Sequence, residues 1–386
     1  MDSLKVLEDL IAIRSDRHAN PEGGRVEYGV AMFLKAYLEK NFPDLIIEEQ
    51  EIDPGRVNLY VHDGTSVGLL MVGHMDTVEE GAGWKHSVRG ERKGGRLYGR
   101  GAADMKAGLV AILAALDQAR DTGKKGIAAL FYCDEEYDFL GMKQFVKGYA
   151  DRLKPRLVVC PEITQDMLLR GARGIIEFRV ILRGKTGHAA RPHTGIDAFA
   201  GFMMGVDSLR EYLSQEVDEL LGPATLNIGM IRCGALQGPS KNPDDGPMLG
   251  SMGNVIPDYC EATLEVRTIP AVTHQGILDA FNSGLKKHRT VVESIQTSMN
   301  LGSFVTSTED LKMLEEVQEE VMGAVSYYPV DQFGYSDAQM LAEVWDVPTV
   351  VWGPKGKNMH GSDEYVEIPA IERFEKAYRL IVDKWE

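Results

Sequence analysis

The chain has 386 residues, of which 44% are hydrophobic and 26% are charged, a composition typical of globular enzymes and binding proteins rather than of disordered or fibrous chains. Its length predicts two domains. The formal net charge of −16 argues against nucleic acid or an acidic membrane as a partner, because phosphate binding requires a concentrated basic surface.

The first predicted elements are two helices and three strands. Apolar residues recur with helical spacing over 3–14 and 25–40, whereas 45–52 and 56–62 have the composition of strands. The next segment, 69–72, reads LLMV and is followed by glycine. An uninterrupted apolar run of this length indicates a parallel strand that is covered on both faces.

His74 and Asp76 follow this apolar strand directly. Side chains two residues apart in an extended segment point to the same side, so both can face one site. Imidazole is the commonest metal ligand in proteins, and a carboxylate often fixes the tautomer of a ligating histidine. The alternative is a surface pair without function, and this alternative is favoured for the pair taken alone, because functional sites are rare. The residues downstream reverse that preference.

Further carboxylates adjoin the next predicted elements. They are Asp104 in a glycine-rich loop before the helical run 109–116, Glu135 and Glu136 after the apolar strand 127–133, and Glu162 after the strand 157–160. In open α/β sheets, ligands bind at the carboxyl ends of the strands. The repeated placement therefore predicts a site at that edge of the sheet.

The order of elements changes at residue 174. Between 174 and 301 the predicted order is βαββαβ, which is typical of a ferredoxin-like domain. Helix and strand alternate again from about residue 307, and the last predicted helix covers 372–384. The sequence therefore predicts an α/β fold in which residues 1–173 and 302–386 form one domain and 174–301 are inserted into it.

The four cysteines, Cys133, Cys160, Cys233 and Cys260, are scattered singly without C-x-x-C spacing. We therefore expect reduced, buried thiols rather than a zinc–thiolate cluster or a disulfide framework.

The first residues enter an amphipathic helix, with no basic segment followed by an apolar one, and no apolar run approaches the length of a membrane span. A cytoplasmic location is expected by default.

The candidate residues have the chemistry of a site for two metal ions. Such a site needs carboxylate and imidazole ligands for each ion and a carboxylate that bridges both. Together with His360, the residues after the strands supply this set. Singly, each has another explanation: Asp104 as a helix N-cap, Glu135 and Glu136 as a solvated turn, His360 as a loop residue. Jointly, these explanations require too many coincidences.

A series of short motifs runs in order along nearly the whole chain: GHMDT at 73–77, GRGAADMK at 99–106, DEE at 134–136, PE at 161–162, GKTGH at 184–188, NVIP at 254–257, Arg267 and His360. Taken together, these motifs resemble the M20 family of zinc metallopeptidases and aminoacylases, which includes succinyl-diaminopimelate desuccinylase, acetylornithine deacetylase and glutamate carboxypeptidase. This resemblance implies a zinc-peptidase-like mixed sheet flanked by helices, with the inserted domain as a lid and dimerisation domain.

The resemblance implies two zinc ions per chain, for which cobalt is expected to substitute. One ion would be held by His74, Asp104 and Glu162, and the other by Asp104, Glu136 and His360. Asp104 would therefore bridge the two ions.

Five further residues receive roles from the resemblance. Asp76 would orient His74, and Glu135 would be the general base and acid. His188 of a neighbouring subunit would stabilise the oxyanion, which implies a homodimer formed through the inserted domain. Asn254 and Arg267 would bind the carboxylate of a small substrate.

Two positions depart from the family pattern. The segment GYSDAQ at 334–339 has Tyr335 in place of the usual threonine and Gln339 where a basic residue is common, which leaves the substrate side chain open. The expected activity is that of a di-zinc amidohydrolase acting on an N-acyl amino acid, with a dipeptidase or carboxypeptidase of the same family as the alternative. A metal-binding scaffold without catalytic activity is the alternative from another class.

Overall fold

A computed structural model describes residues 1–17, 26–240, 242 and 246–386; residue 25, the start of the second predicted helix, lies outside the described residues. The chain divides into two compact units. The first comprises Met1–Ala172 and Val305–Glu386, and the second comprises Arg173–Phe304. Among the described residues, no helix combines the length and the apolar character needed to cross a membrane.

The helices of the described residues are α1 (Ser3–Ala12), α2 (Tyr28–Asn41), α3 (Ala107–Thr122), α4 (Leu140–Tyr149), α5 (Ala198–Leu213), α6 (His274–Lys287), α7 (Thr308–Met322), α8 (Gln339–Trp345) and α9 (Ile368–Lys384). The strands are β1 (Ile46–Asp53), β2 (Arg56–His62), β3 (Leu69–His74), β4 (Glu91–Lys93), β5 (Arg96–Tyr98), β6 (Ile127–Tyr132), β7 (Leu157–Cys160), β8 (Gly171–Ala172), β9 (Gly174–Arg183), β10 (Val217–Asp218), β11 (Gly222–Pro223), β12 (Thr225–Gly238), β13 (Met248–Gly250), β14 (Tyr259–Thr268), β15 (Val291–Leu301), β16 (Phe304–Val305), β17 (Thr349–Val351), β18 (Gly356–Lys357) and β19 (Tyr365–Glu367).

The main sheet of the first unit has the strand order β1-β2-β6-β3-β7-β17. Strands β6, β3, β7 and β17 run parallel, whereas β1 and β2 are antiparallel to their neighbours. The sheet is therefore mixed, and the fold is a mixed α/β fold. The carboxyl ends of the parallel strands lie at one edge, which is where ligands bind in sheets of this kind.

Strand β3 is buried on both faces, as its apolar sequence predicts. Leu69 and Met71 belong to the apolar cluster formed with α1, α2, α3, α7 and α9, whereas Leu70 and Val72 belong to a second cluster that includes residues of α4 and α8. At the end of β3, a Cβ on Gly73 would lie 2.7 Å from Leu109 Cδ2, so any larger residue would force this side chain of α3 to shift. The two clusters hold the end of β3 between helices.

The second unit contains the elements β9, α5, β12, β14, α6 and β15, with shorter strands between them. Its sheet has the order β13-β12-β14-β9-β15 with antiparallel neighbours. One face of the sheet packs on the two helices: the ring of Phe281 in α6 makes edge contacts with Phe178 in β9 and Phe202 in α5. The burial of alternate residues along β14 agrees with a sheet that is covered on one face.

The prediction of four reduced thiols is wrong for two of the cysteines. Cys233 and Cys260 form a disulfide, because the register of β12 and β14 places them directly opposite one another with their Cα atoms 4.1 Å apart. Spacing along the chain cannot show this pairing, since 27 positions separate the two residues. Cys133 and Cys160 are free and buried, as predicted.

Candidate metal centre

The candidate metal ligands of the first unit lie at or near the carboxyl-terminal edge of the main sheet. His74 is the last residue of β3, Glu136 follows β6, and Glu162 follows β7. Asp104 lies in a one-turn segment between β5 and α3, and His360 lies in the loop between β18 and β19. The parallel pairing of β6, β3 and β7 explains why residues distant in sequence meet here.

Asp104 lies between two histidines and directs one carboxylate oxygen to each. Its Oδ1 is 3.2 Å from His74 Nε2, and its Oδ2 is 3.1 Å from His360 Nε2. A bridging carboxylate requires this division of its two oxygens. The alternative that Asp104 caps α3 is wrong, since Lys106 occupies the N-cap position.

Glu136 extends the cluster on the side of His360. Its Oε2 is 3.1 Å from His360 Nε2, and its Oε1 accepts a hydrogen bond from the backbone N–H of Val78 at 3.3 Å. Ligand atoms of His74, Asp104 and Glu136 all lie within 4.8 Å of one another. These atoms are therefore close enough together to serve as metal ligands.

Glu162 lines the same cavity as Asp104 and Glu136. Its Oε1 accepts a hydrogen bond from Ser336 Oγ at 2.8 Å. Next to that serine, the fully buried Asp337 accepts a hydrogen bond from Tyr132 Oη at 2.6 Å. Sequence reasoning gave Ser336 and Asp337 no role, although the segment that contains them was noted.

Asp76 contacts His74 through its backbone carbonyl and the turn after β6 through its carboxylate. The backbone carbonyl of Asp76 accepts from His74 Nδ1 at 3.0 Å, whereas the carboxylate is 3.7 Å from that nitrogen. The two carboxylate oxygens instead accept from the backbone N–H groups of Glu135, at 3.1 Å, and Glu136, at 3.0 Å. Asp76 therefore positions the turn that carries both glutamates.

Glu135 lies beside the cluster, and its side chain is 9% exposed at the wall of the cavity that Asp104, Glu136 and Glu162 also line. Burial, together with the negative charges of Glu162 and Asp337, raises its pKa well above the usual range. The structure thus places Glu135 at the same cavity as the three carboxylates.

The charges of the cluster are those of a site for cations. Hydrogen bonds to Asp104 and Glu136 raise the pKa of His360 to about 10. Burial would lower the pKa of His74, but its hydrogen bond to Asp104 and the nearby carboxylates raise it well above the usual value. Protons on the histidines thus offset the clustered negative charge, and divalent ions binding to neutral imidazoles would take that place.

Glu364, four residues after His360, holds the loop that carries Asp104. Its Oε1 accepts from the backbone N–H groups of Ala103, at 2.9 Å, and Asp104, at 3.1 Å. Its Oε2 accepts from the Gly101 N–H at 3.0 Å and from Arg100 Nη1 at 2.6 Å. This fully buried carboxylate therefore connects the loops of two candidate ligands, and sequence reasoning missed it.

Glu364→Gln is expected to weaken metal binding by roughly ten- to a hundredfold, the usual effect of losing a residue that orients metal ligands. Each carboxylate oxygen of Glu364 accepts hydrogen bonds from two N–H groups. In either orientation, the glutamine amide would point its own N–H₂ group at two of these donors. The measurement is the affinity for Zn²⁺ or Co²⁺ by competition with a chelator.

The matched control is Asp363→Asn. Asp363 accepts from the backbone N–H groups of Lys85 and His86 through Oδ1 alone, and asparagine retains one such oxygen. We expect wild-type metal affinity for this control. Equal losses in the two variants would show that general disturbance of the loop, rather than the contact with Asp104, causes the effect.

In the second unit, the structure brings His188 and Asn254 together. Their loops are joined by a bridge between His188 and Val255 and by a backbone hydrogen bond from Ala189 N–H to Asn254 O at 2.9 Å. The His188 side chain is exposed. The two residues therefore lie at one end of this unit.

Arg267 lies at the other end of the same sheet. It is close to the end of β14, whereas Asn254 precedes the start of that strand at Tyr259. Eight residues of extended chain from Tyr259 to Arg267 span about 26 Å. Arg267 Nε donates to Glu265 Oε1 at 2.9 Å, so in this structure the guanidinium forms an ion pair within β14. One copy of the chain cannot direct Asn254 and Arg267 at a single carboxylate.

Imidazole and carboxylate side chains gathered at the carboxyl edge of a mixed sheet have the chemistry that a metal-dependent hydrolase requires. The chain belongs to Peptidase family M20/M25/M40, whose model matches residues 70–384. This finding confirms the predicted family and the prediction that the protein is an enzyme.

Named relatives and a solved structure agree with this assignment. The chain is 29% identical over 329 residues to the succinyl-diaminopimelate desuccinylase of Roseobacter denitrificans, with 81% of each chain covered. It is 30% identical over 343 residues to the acetylornithine deacetylase of Aliivibrio salmonicida, with 84% of each covered. A dinuclear metal-binding M20 peptidase of Bacillus subtilis is similar in fold, with a TM-score of 0.65, 14% identity, and coverage of 99% of this chain and 97% of that one.

Proposed function

We propose that this protein is a di-zinc amidohydrolase that cleaves an N-acyl or peptide amide next to a free carboxylate, with deacylation of an amino acid derivative favoured over dipeptide cleavage. The observation that carries the proposal is the division of the Asp104 carboxylate between His74 and His360. The names of the relatives support deacylation, and the B. subtilis structure is that of a dinuclear metal-binding peptidase.

The ligand set fits two zinc ions. His74, Asp104 and Glu162 would hold one ion, and Asp104, Glu136 and His360 would hold the other. Nitrogen and oxygen donors of this kind bind zinc in catalytic sites, and cobalt accepts the same donors. When bound, two such ions lower the pKa of the attacking water and polarise the amide carbonyl.

Glu135 would be the general base and acid. It is adjacent in sequence to the ligand Glu136, and hydrogen bonds from both backbone N–H groups to Asp76 fix the turn on which they lie. The carboxylate of Glu135 would take a proton from the attacking water and return it to the leaving amine. Asp76 would act as a positioning residue for both glutamates.

The second unit is proposed to be a ferredoxin-like lid and dimerisation domain. The order of its elements and the sheet order β12-β14-β9-β15 support the ferredoxin-like description. Strand β15 lies at the edge of this sheet and is largely exposed, so it is available for pairing across a twofold axis. His188 of one subunit would then stabilise the oxyanion in the site of the other.

Mixing His188→Ala protein with Glu135→Gln protein under subunit exchange is expected to restore activity. Each hybrid dimer would contain one site with both residues intact, so random exchange gives about a quarter of the wild-type rate. The measurement is the initial rate before and after exchange, with each variant alone as the control. Rates no higher than those of the parents, or a monomer in solution, would exclude the shared site.

The placement of Arg267 and Asn254 leads to a related proposal. Because the two lie at opposite ends of β14, one substrate carboxylate would meet Arg267 from one subunit and Asn254 from the other. A planar guanidinium binds a carboxylate through two parallel hydrogen bonds, which lysine cannot reproduce.

Arg267→Lys is therefore expected to lower kcat/KM for substrates with a free carboxylate, since disrupting such a desolvated pair costs roughly 2 to 5 kcal/mol. The change should matter little for the corresponding amides or methyl esters, which are expected to be poor substrates of the wild-type enzyme. Steady-state kinetics on matched acids and amides provide the measurement.

Glu265→Gln separates this role from the ion pair within β14. It removes the charge that Arg267 now contacts but keeps the guanidinium, so we expect near wild-type kcat/KM. A defect equal to that of Arg267→Lys would assign the effect to the ion pair. Equal turnover of acids and amides by the wild-type enzyme would exclude a carboxylate site.

The experiment that tests the proposed function is a panel of N-acyl amino acids and dipeptides, assayed for amine release with the zinc- and cobalt-loaded protein. Preferential cleavage of N-acyl amino acids is the expected result. Preferential cleavage of dipeptides would favour the peptidase alternative of the same family, and cleavage of neither class would contradict the proposal.

A further inference from the structure

The cavity beside the metal cluster has two chemically different parts. Its volume is about 360 Å³, within the range of small-ligand sites. One part is the cluster itself, with its carboxylates and His360. The rest is mostly an apolar wall, to which Phe139, Ile163, Tyr328, Phe333, Tyr335 and Met359 contribute.

Aromatic contacts hold this wall in place. The rings of Phe139 and Tyr335 meet edge to face with centroids 5.9 Å apart, and those of Tyr328 and Phe333 do so at 6.5 Å. Phe139 is only 4% exposed, and Tyr328 and Phe333 pack against the apolar cluster that covers one face of the main sheet. The wall is therefore anchored on the packed core through part of its residues, and it presents ring surfaces to the cavity.

Along this wall, the described residues offer no charged side chain that could pair with an ionic group of a substrate. Among the described residues that line the cavity there is no lysine or arginine, and the carboxylates are those of the metal cluster, including Glu135. Nearby, Gln339 is neutral and buried, and its Oε1 accepts from the Ser336 N–H at 3.0 Å. A charged group placed against the wall would lose its hydration without gaining a partner.

We propose that this cavity binds an uncharged aromatic or bulky apolar group next to the scissile amide, and that the enzyme therefore discriminates against succinyl and ornithine groups. This inference rests on the proposed function for the identity of the amide. If it is correct, this protein acts on a different class of substrate from the relatives named as a desuccinylase and an acetylornithine deacetylase.

The first test compares four substrates with the zinc-loaded enzyme: N-acetylphenylalanine, N-benzoylglycine, N-acetylornithine and N-succinyl-diaminopimelate. Burial of a phenyl ring predicts a kcat/KM at least about tenfold higher for one of the aromatic substrates than for either charged one. The better of the two aromatic compounds shows on which side of the amide the group lies. Equal or faster cleavage of a charged substrate would overturn the proposal.

The second test does not depend on turnover. Binding of 3-phenylpropionate and of succinate to the zinc-loaded protein is measured by calorimetry; both carry one carboxylate for the metal cluster and differ in the other end. We expect at least about tenfold tighter binding of 3-phenylpropionate. If 3-phenylpropionate binds more tightly but the enzyme cleaves no amide, the proposed function is contradicted and the aromatic site is not. Equal binding of the two ligands, or tighter binding of succinate, would overturn the aromatic site.

Variants at the wall test whether its aromatic side chains bind the apolar group. Tyr335→Ala is expected to weaken 3-phenylpropionate binding by about tenfold and to leave succinate binding and metal content unchanged. Tyr328→Ala provides a second position on the wall with the same expectation. The control is Tyr327→Ala, because Tyr327 is exposed, adjacent in sequence and not part of the cavity lining. Equal weakening of both ligands by the wall variants would contradict a site for the aromatic group.

Discussion

Glu135→Gln is expected to lower kcat by at least about a hundredfold, the usual scale for removal of a general acid–base group, while the metal content stays at the wild-type value. Glutamine keeps the size of the side chain but cannot accept the proton of the attacking water. Glu135 is adjacent to Glu136 and lines the same cavity. The measurement combines kcat at saturating substrate with metal analysis of the same sample.

The control for this variant is Asp138→Asn. Asp138 lies on the same turn, but it contacts Arg17 and does not line the cavity. Wild-type kcat is expected for it. Near-complete activity in Glu135→Gln would place the base elsewhere, and loss of metal in that variant would make Glu135 a ligand rather than a base.

Asp104→Ala is expected to remove both metal ions and, with them, all measurable activity. The reason is that Oδ1 and Oδ2 of this one carboxylate face the histidines of two different sites. Metal content per chain after dialysis against a fixed concentration of Zn²⁺ provides the measurement.

His360→Ala serves as the comparison for Asp104→Ala. His360 contacts Asp104 and Glu136 but is not among the candidate ligands of the other site, so this variant should lose mainly one ion. Loss of a single ion from Asp104→Ala would contradict the bridging assignment. Loss of both ions from His360→Ala would show that the two sites do not bind independently.

The sequence predicts the elements that carry candidate ligands because each has a strong local signal. The apolar run before His74 predicts a strand covered on both faces, and the structure places it between two apolar clusters. The helix α4 is missed because Gly141 and Gly148 lower its helix propensity, by up to about 1 kcal/mol each. Gly141 is required there, since a Cβ would lie 2.2 Å from Cys133 O.

Contacts between distant segments account for what the sequence does not reveal. Glu364 accepts hydrogen bonds from backbone N–H groups some 260 positions away. Because nearly every residue has a backbone N–H group, the sequence does not show which of these groups a distant carboxylate binds. The pairing of Cys233 with Cys260 depends on the register of two strands. Similarly, residue types alone do not show that Asn254 and Arg267 lie at opposite ends of β14.

The most direct test of the central claim is a titration of the metal-free protein with Zn²⁺ in which bound metal and the rate of amide cleavage are followed together. A dinuclear amidohydrolase predicts saturation at two ions per chain, with cleavage of an N-acyl amino acid appearing only as zinc binds. Saturation at one ion or none, or a cleavage rate that does not depend on bound zinc, would contradict the account.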